Sequence, residues 1–215
     1  MRTLIKQLDS PASVVKVARL AARRLAEGQV VVFPTDTVYG LAADARSSKA
    51  VRQLFKLKGR EENKPFALLL PSAEYAWQVG LTPPDGRVLA LARRLLPGAF
   101  TLLVQRSPEA ELAAPLCAPK LGLRVPDFAF TRALSEAFEG PIALTSANLS
   151  GHPEPATSAE LIALWQGKAP LIAVASTAVG GLASTVLDLT QTPPRLVRQG
   201  PHSLEELARL IGDFD

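Results

Sequence analysis

The sequence predicts a mixed α/β fold in a single domain, and three observations predict it. Short aliphatic runs alternate with longer stretches of helical periodicity along the whole chain. Some runs follow one another with only a turn between them, as Thr185–Leu189 and Arg195–Arg198 do; a strictly parallel doubly wound sheet would need a crossover there. The 215 residues, 47% hydrophobic and 20% charged, are enough for one sizeable core. No internal repeat, low-complexity tract or linker divides them, so residues 1–215 read as one domain.

Each element has a local reason. Ser13–Glu27 places Val14, Val17, Ala18, Ala21 and Leu25 on one helical face and stops at Gly28. Val30–Phe33 is a continuous apolar run ended by Pro34, the pattern of a strand covered on both faces. Ser47–Leu57 is a second amphipathic helix, and Pro65–Leu70 a buried strand closed by Pro71. Arg87–Leu96 is helical up to Pro97-Gly98. Strands follow at Phe100–Gln105, Gly122–Val125, Ile142–Thr145 and Leu171–Ala175, with helices at Phe128–Phe138 and Ser158–Gln166. Pro108–Lys120, rich in Pro and Ala, is a lid or a long connection. Ser203 caps a last helix, 203–211, with Glu206 at the capping-box position.

Charge is concentrated in one place. Between Lys49 and Lys64 stand Lys49, Arg52, Lys56, Lys58, Arg60 and Lys64 against only Glu61 and Glu62, a net +4 that equals the formal charge of the whole chain. This segment follows Pro34-Thr35-Asp36-Thr37-Val38-Tyr39-Gly40, a loop rich in hydroxyls, and the pair suits a polyanion such as a nucleotide phosphate. On the helix, Val51, Leu54 and Phe55 share a face that Lys58 continues, whereas Lys49, Arg52 and Lys56 lie opposite. Lys58 therefore points to the body of the protein, and Gly59 turns the chain to present Arg60.

Two further constellations fit the same chemistry. Ser146-Ala147-Asn148-Leu149-Ser150-Gly151 leaves a buried strand, where hydroxyls and backbone N–H groups can cradle phosphate or ribose. Arg124 interrupts an apolar strand; it pairs with a carboxylate such as Asp36 or Asp127, or it meets a ligand anion. Ser184, Thr185 and Arg198 add phosphate-compatible groups near the C-terminus.

Several classes are disfavoured. The chain has neither a Gly-x-x-x-x-Gly-Lys-Ser/Thr loop nor a Gly-x-Gly-x-x-Gly fingerprint, and its one double glycine, Gly180-Gly181, lacks the lysine. With His152, His202 and Cys117 as the complete set of histidines and cysteines, a disulfide is impossible and neither a His/Cys metal site nor a Ser-His-Asp triad is supported. No stretch has the roughly 18 apolar residues of a membrane helix, and the Met1–Lys6 segment is not followed by an apolar signal core. The expectation is a cytoplasmic protein that does not contact membranes.

Together, Pro34–Leu41, Lys58-Gly59-Arg60, Leu123-Arg124-Val125-Pro126, Ser146-Ala147-Asn148-x-Ser150-Gly151 and Ser184-Thr185-Val186 resemble the YrdC family in order and spacing, from about residue 13 to 200. The resemblance implies a twisted mixed sheet with flanking helices and a basic concave face. It implies L-threonylcarbamoyladenylate synthase activity, a nucleotidyltransfer from L-threonine, bicarbonate and ATP that releases pyrophosphate and serves the modification of tRNA. It assigns Lys58, Arg60, Ser146 and Asn148 to ATP, with Ser184 and Arg198 as further nucleotide contacts. Lys58 and Arg60 become the catalytic cations, and Thr35 and Arg124 face threonine. Mg2+ would arrive on the phosphates, tRNA is a possible partner, and a separate enzyme complex would carry out the transfer to tRNA. Longer relatives carry a C-terminal domain, and this chain resembles the short form. The histidine that many relatives carry after the strand at Ala67–Leu70 is missing here.

Such chemistry depends on positioning and charge neutralisation more than on a nucleophilic side chain. Asp36 is a candidate to deprotonate the threonine amine. Lys58→Ala and Arg60→Ala are expected to cut adenylate formation and leave the fold intact. The rivals are a module that binds double-stranded RNA or tRNA through phosphates, and a paralogue forming a different carbamoyl adenylate.

Overall fold

A computed structural model describes residues 2–61, 66–78, 86–108, 110–176, 179 and 181–212. Lys64, Pro65 and Gly180 of the sequence motifs lie outside them. Among the described residues ten strands form one sheet: β1 (Leu4–Leu8), β2 (Val31–Phe33), β3 (Gly40–Asp44), β4 (Ala67–Leu69), β5 (Phe100–Gln105), β6 (Lys120–Arg124), β7 (Ile142–Ser146), β8 (Leu171–Ala175), β9 (Thr185–Asp188) and β10 (Arg195–Arg198). Their order is β1-β8-β2-β3-β7-β4-β6-β5-β9-β10. Parallel pairs (β1·β8, β2·β8, β4·β6, β5·β9) occur beside antiparallel ones, so the sheet is mixed, as the sequence predicts.

The helices are α1 (Pro11–Ala26), α2 (Ser48–Lys58), α3 (Tyr75–Gln78), α4 (Gly86–Leu95), α5 (Ala129–Ala137), α6 (Ser158–Trp165) and α7 (Leu204–Ile211). They cover both faces of the sheet, which explains the continuous apolar runs. Val31 and Phe33 of β2 face Val17, Ala21 and Leu25 of α1 and Phe130 and Leu134 of α5. Val32 and its neighbour Val30 face the other layer, with Leu54 and Phe55 of α2 and Leu161 and Trp165 of α6.

Two strands escaped the sequence reading. β1 is an edge strand whose middle residues Ile5, Lys6 and Gln7 are exposed, so it has no apolar run to detect. β3 is Gly-Leu-Ala-Ala-Asp, poor in β-formers, and is held by pairing with β2 and β7 rather than by propensity. α1 also starts earlier than expected: Ser10 caps it in a reciprocal box with Ser13, and Pro11 opens the first turn. The Pro- and Ala-rich segment is a packed connection. Pro115 and Leu116 are buried in a short 3-10 turn, and the Ala113 N–H donates to the Ala45 carbonyl at 2.8 Å.

Candidate functional site

The segment richest in cations runs along α2 and past its end. Lys58 completes the buried face of α2 and is only 3% exposed, whereas Lys56 is exposed. Gly59 then takes the left-handed conformation (φ 65°) that terminates a helix without strain only for glycine. That turn delivers Arg60, whose guanidinium lies 5.5 Å over the Phe66 ring.

Lys58 Nζ donates to the Ser146 carbonyl (2.8 Å), the Asn148 carbonyl (2.8 Å), Ser146 Oγ (3.1 Å) and Asn148 Oδ1. The turn after β7 is thereby wrapped around one ammonium group. It is also pinned by Trp165 Nε1 donating to the Ala147 carbonyl (2.7 Å) and by the Ser150 N–H donating to the Lys58 carbonyl (2.8 Å). Burial lowers the Lys58 pKa to about 8; Glu154 opposes that shift and Arg60 adds to it.

Arg124 resolves the choice left open by the sequence. Its Nη2 donates to Asp36 Oδ1 (2.7 Å) and to Thr37 Oγ1 (3.1 Å), while Nε is buried without a partner. Asp36 accepts the Asp127 N–H with its other oxygen (3.0 Å). It is the counter-ion of Arg124 with both oxygens engaged, an arrangement unlike that of a free base. Desolvation by its surroundings lowers the Arg124 pKa, and Asp36 resists the shift. Thr35 closes the same turn: its hydroxyl donates to the Val38 carbonyl (2.7 Å) and accepts the Thr37 N–H (3.2 Å).

At the C-terminal side, Arg198 Nε and Nη2 donate to the Ser184 carbonyl (3.1 and 2.9 Å), and Nη2 also reaches Ser184 Oγ (3.2 Å). The Ser184 hydroxyl in turn lies 2.7 Å from Thr101 Oγ1. A register shift between Leu196 and Arg198 turns Arg198 onto β9. Gly200 permits this return, since a Cβ there would come within 2.3 Å of the Thr185 nitrogen and 2.6 Å of the Ala183 carbonyl oxygen. Gly200→Ala is therefore expected to push residues 198–200 off β9, lower stability by about 2 kcal/mol and weaken anion binding. Thermal unfolding and phosphate titration of the variant check both effects.

These groups surround one cavity of about 230 Å3, lined among others by Thr35, Arg60, Arg124, Ser146, Ser184 and Arg198. Six of the eight residues singled out from the sequence thus meet at one place. Lys58 and Asn148 stand behind Ser146 and shape the turn that carries it. One member of the lining, Lys120, and one residue that borders it beside Ser146, Glu154, were missed. Lys120 shares a face with Gly122 and Arg124, lines the cavity, and is held 2.8 Å from Asp188 Oδ2; the period-2 pattern could have found it had the strand been started two residues earlier. Glu154 gave no signal, lying between prolines in a loop. It is half-buried, burial raises its pKa against the pull of Ser146, Lys58 and Arg198, and its Oε2 is buried without a partner.

Among the described residues the cavity lining contains no carboxylate, and no group of three or more His, Cys, Asp or Glu could hold a metal ion. No described helix is long and apolar enough to cross a membrane. The arrangement presents fixed guanidinium groups, an ammonium group and hydroxyls to a single space, which is the equipment for gripping phosphates.

Known proteins share this scaffold. Threonylcarbamoyl-AMP synthase of Pyrococcus abyssi is 35% identical over 196 residues, covering 91% of this chain and 57% of that protein. The human threonylcarbamoyl-AMP synthase is 38% identical over 192 residues, covering 86% and 67% respectively. The crystal structure of P. abyssi Sua5 complexed with L-threonine superposes with a TM-score of 0.87 at 33% identity, covering 99% of this chain and 63% of that one. This chain thus spans roughly three fifths of the length of the Pyrococcus protein. The model of the Sua5/YciO/YrdC family, described as telomere recombination, matches residues 23–200. With that match falling on the strands and turns that build the cavity, the chain belongs to the Sua5/YciO/YrdC family.

Proposed function

We propose that this chain is an L-threonylcarbamoyladenylate synthase. The observation that carries the reading is the convergence of Arg60, Arg124 and Arg198 with Ser146 and Ser184 on one cavity. The threonine amine adds to CO2 from bicarbonate to give a carbamate. A carbamate oxygen then attacks the α-phosphorus of ATP, the α–β bridging bond breaks, and pyrophosphate leaves with the negative charge. Arg60, Arg198 and Ser146 would hold the phosphates and neutralise the charge that builds on the leaving group. Lys58 and Asn148 would act one step back, fixing the turn that carries Ser146. Arg124, Thr35 and Lys120 would form the threonine and bicarbonate end.

Mg2+ fits this donor set as a passenger of the nucleotide. The described lining offers hydroxyls and cations, so the metal's oxygens would come from phosphate and water, and the ion would supply further charge neutralisation. The adenylate would pass to a separate enzyme complex that modifies tRNA, in a cytoplasmic setting. The names of the Pyrococcus and human relatives and the threonine complex of P. abyssi Sua5 support the reading.

Pyrophosphate release from ATP with bicarbonate, with and without L-threonine, tests it. Release is expected to require both co-substrates and to be absent with glycine. ATP binding without threonine-dependent release would favour a paralogue with another acceptor, and absence of ATP binding would favour an RNA-binding module.

A further inference from the structure

Glu154 carries an arrangement that the proposed reaction does not use. Its carboxylate lies in the field of Lys58 and Arg198 and beside the Ser146 hydroxyl; Arg198 and Ser146 are two of the groups that would receive phosphate, and Lys58 fixes the turn that carries Ser146. One of its oxygens is buried without a hydrogen-bond partner, so the hydrogen bond with Ser146 and the nearby charges satisfy the carboxylate only in part. The loop carrying it, residues 152–157, runs from the turn after β7 to the N-cap of α6 at Thr157. Pro153 and Pro155 flank it in sequence and restrict the positions the side chain can adopt. It also lines a second cavity, which shares Val38 and Tyr39 with the first.

We propose that Glu154 is a resident counter-anion of the phosphate site: it competes with the phosphates of the nucleotide for Arg198 and Ser146, and nucleotide binding drives it to take up a proton. The inference rests on the nucleotide-binding reading above. A polyanion entering a site with a fixed carboxylate suffers like-charge repulsion unless that carboxylate is neutralised. Neutralisation needs one proton from solvent, added to a group that burial has already inclined toward its neutral form. Binding therefore consumes protons, and lower pH favours it through Glu154. The charged groups around this carboxylate are Lys58 at the end of α2 and Arg198 on β10, with Arg60, two residues past the helix, acting on Lys58. Glu160 on α6 is turned away and accepts the Ala156 N–H at 2.9 Å. Lys58, with its pKa lowered to about 8, keeps most of its charge below pH 7, and comparison with a variant that lacks only the Glu154 carboxylate separates its part from that of the nucleotide's own phosphate. The result is a selectivity device. The site rejects weakly charged anions that cannot displace Glu154 or drive its protonation by solvent, and admits a triphosphate that can.

The test is ATP affinity by calorimetry, with Mg2+ present, for the wild type and Glu154→Gln between about pH 5 and 7. At neutral pH the variant is expected to bind about tenfold more tightly, the scale of one partly screened charge contact. That advantage is expected to shrink toward none as pH falls. Titrations in buffers of different ionisation heat should show proton uptake in the wild type that exceeds uptake in the variant. Equal proton uptake, a pH-independent affinity ratio, or weaker binding by Glu154→Gln would each overturn the proposal while leaving nucleotide binding intact. Failure of both proteins to bind ATP would overturn the proposal and the functional reading together.

Discussion

Arg124→Ala will lower unfolding free energy by about 3–5 kcal/mol, because it strands Asp36 as an uncompensated buried charge. The two side chains are 8% and 10% exposed, and the pair is 2.7 Å apart. The damage is not confined to one bond. Thr37 Oγ1 loses its donor, and the turn from Thr35 to Gly40 loses the contact that ties it to β6. Chemical denaturation of the variant measures the loss. Adding Asp36→Asn to Arg124→Ala should recover a substantial part of it, because the stranded charge is gone. A loss below about 1 kcal/mol, the ceiling of an exposed pair, would show that water already reaches Asp36. The same variant removes a cation from the cavity, so adenylate formation should fall by far more than the loss of stability explains.

Lys58→Met has the second largest expected effect, and the structure changes what it should look like. From sequence, removal of Lys58 was expected to spare the fold. Its ammonium instead serves four acceptors in the turn that carries Ser146 and Asn148, and those groups would lose their shared donor. A cost of about 2 kcal/mol follows from leaving partly buried acceptors unmade. The pH dependence provides a signature. The folded pKa of Lys58 is about 8 against 10.5 for the free side chain, so the unfolded chain binds more protons between those values. Through this group, stability rises as pH climbs from about 8 toward 10.5. Phosphate binding runs the other way, weakening as Lys58 loses its charge above about pH 8. In Lys58→Met both slopes should flatten, which denaturation and ATP titrations at pH 7, 8 and 9 would detect. Retention of either slope would show that another group titrates there.

The legible parts of this chain were those with one-dimensional signals. Alternation of apolar residues at helical spacing fixed α1 and α2, and the run Leu171–Ala175 fixed β8. Lys58 was placed correctly toward the interior because it continues the Val51, Leu54 and Phe55 face. What stayed hidden depends on neighbours. β3 is a strand because β2 and β7 bracket it, and nothing in Gly-Leu-Ala-Ala-Asp announces that. Arg124 looked equally suited to a carboxylate or a ligand, and only the folded turn brings Asp36 to it. Glu154 could not be distinguished from a solvent-facing loop residue, since its significance comes from Lys58 and Arg198 across space.

The cavity draws on β3, β4, β5, β6, β7, β9 and β10, strands whose order in the sheet departs from their order along the chain. As residues leave the ribosome, β8 must thread between β1 and β2, which were made long before it. The cluster is incomplete until Ser184 and Arg198 arrive. Long-range pairing of this kind is slow relative to helix formation. A nascent chain arrested before residue 184 would thus carry the Lys58–Ser146 half of the grip without its partner wall. A nucleotide bound as proposed would select only the finished sheet, so during synthesis it would act on the last step of folding and not on the first.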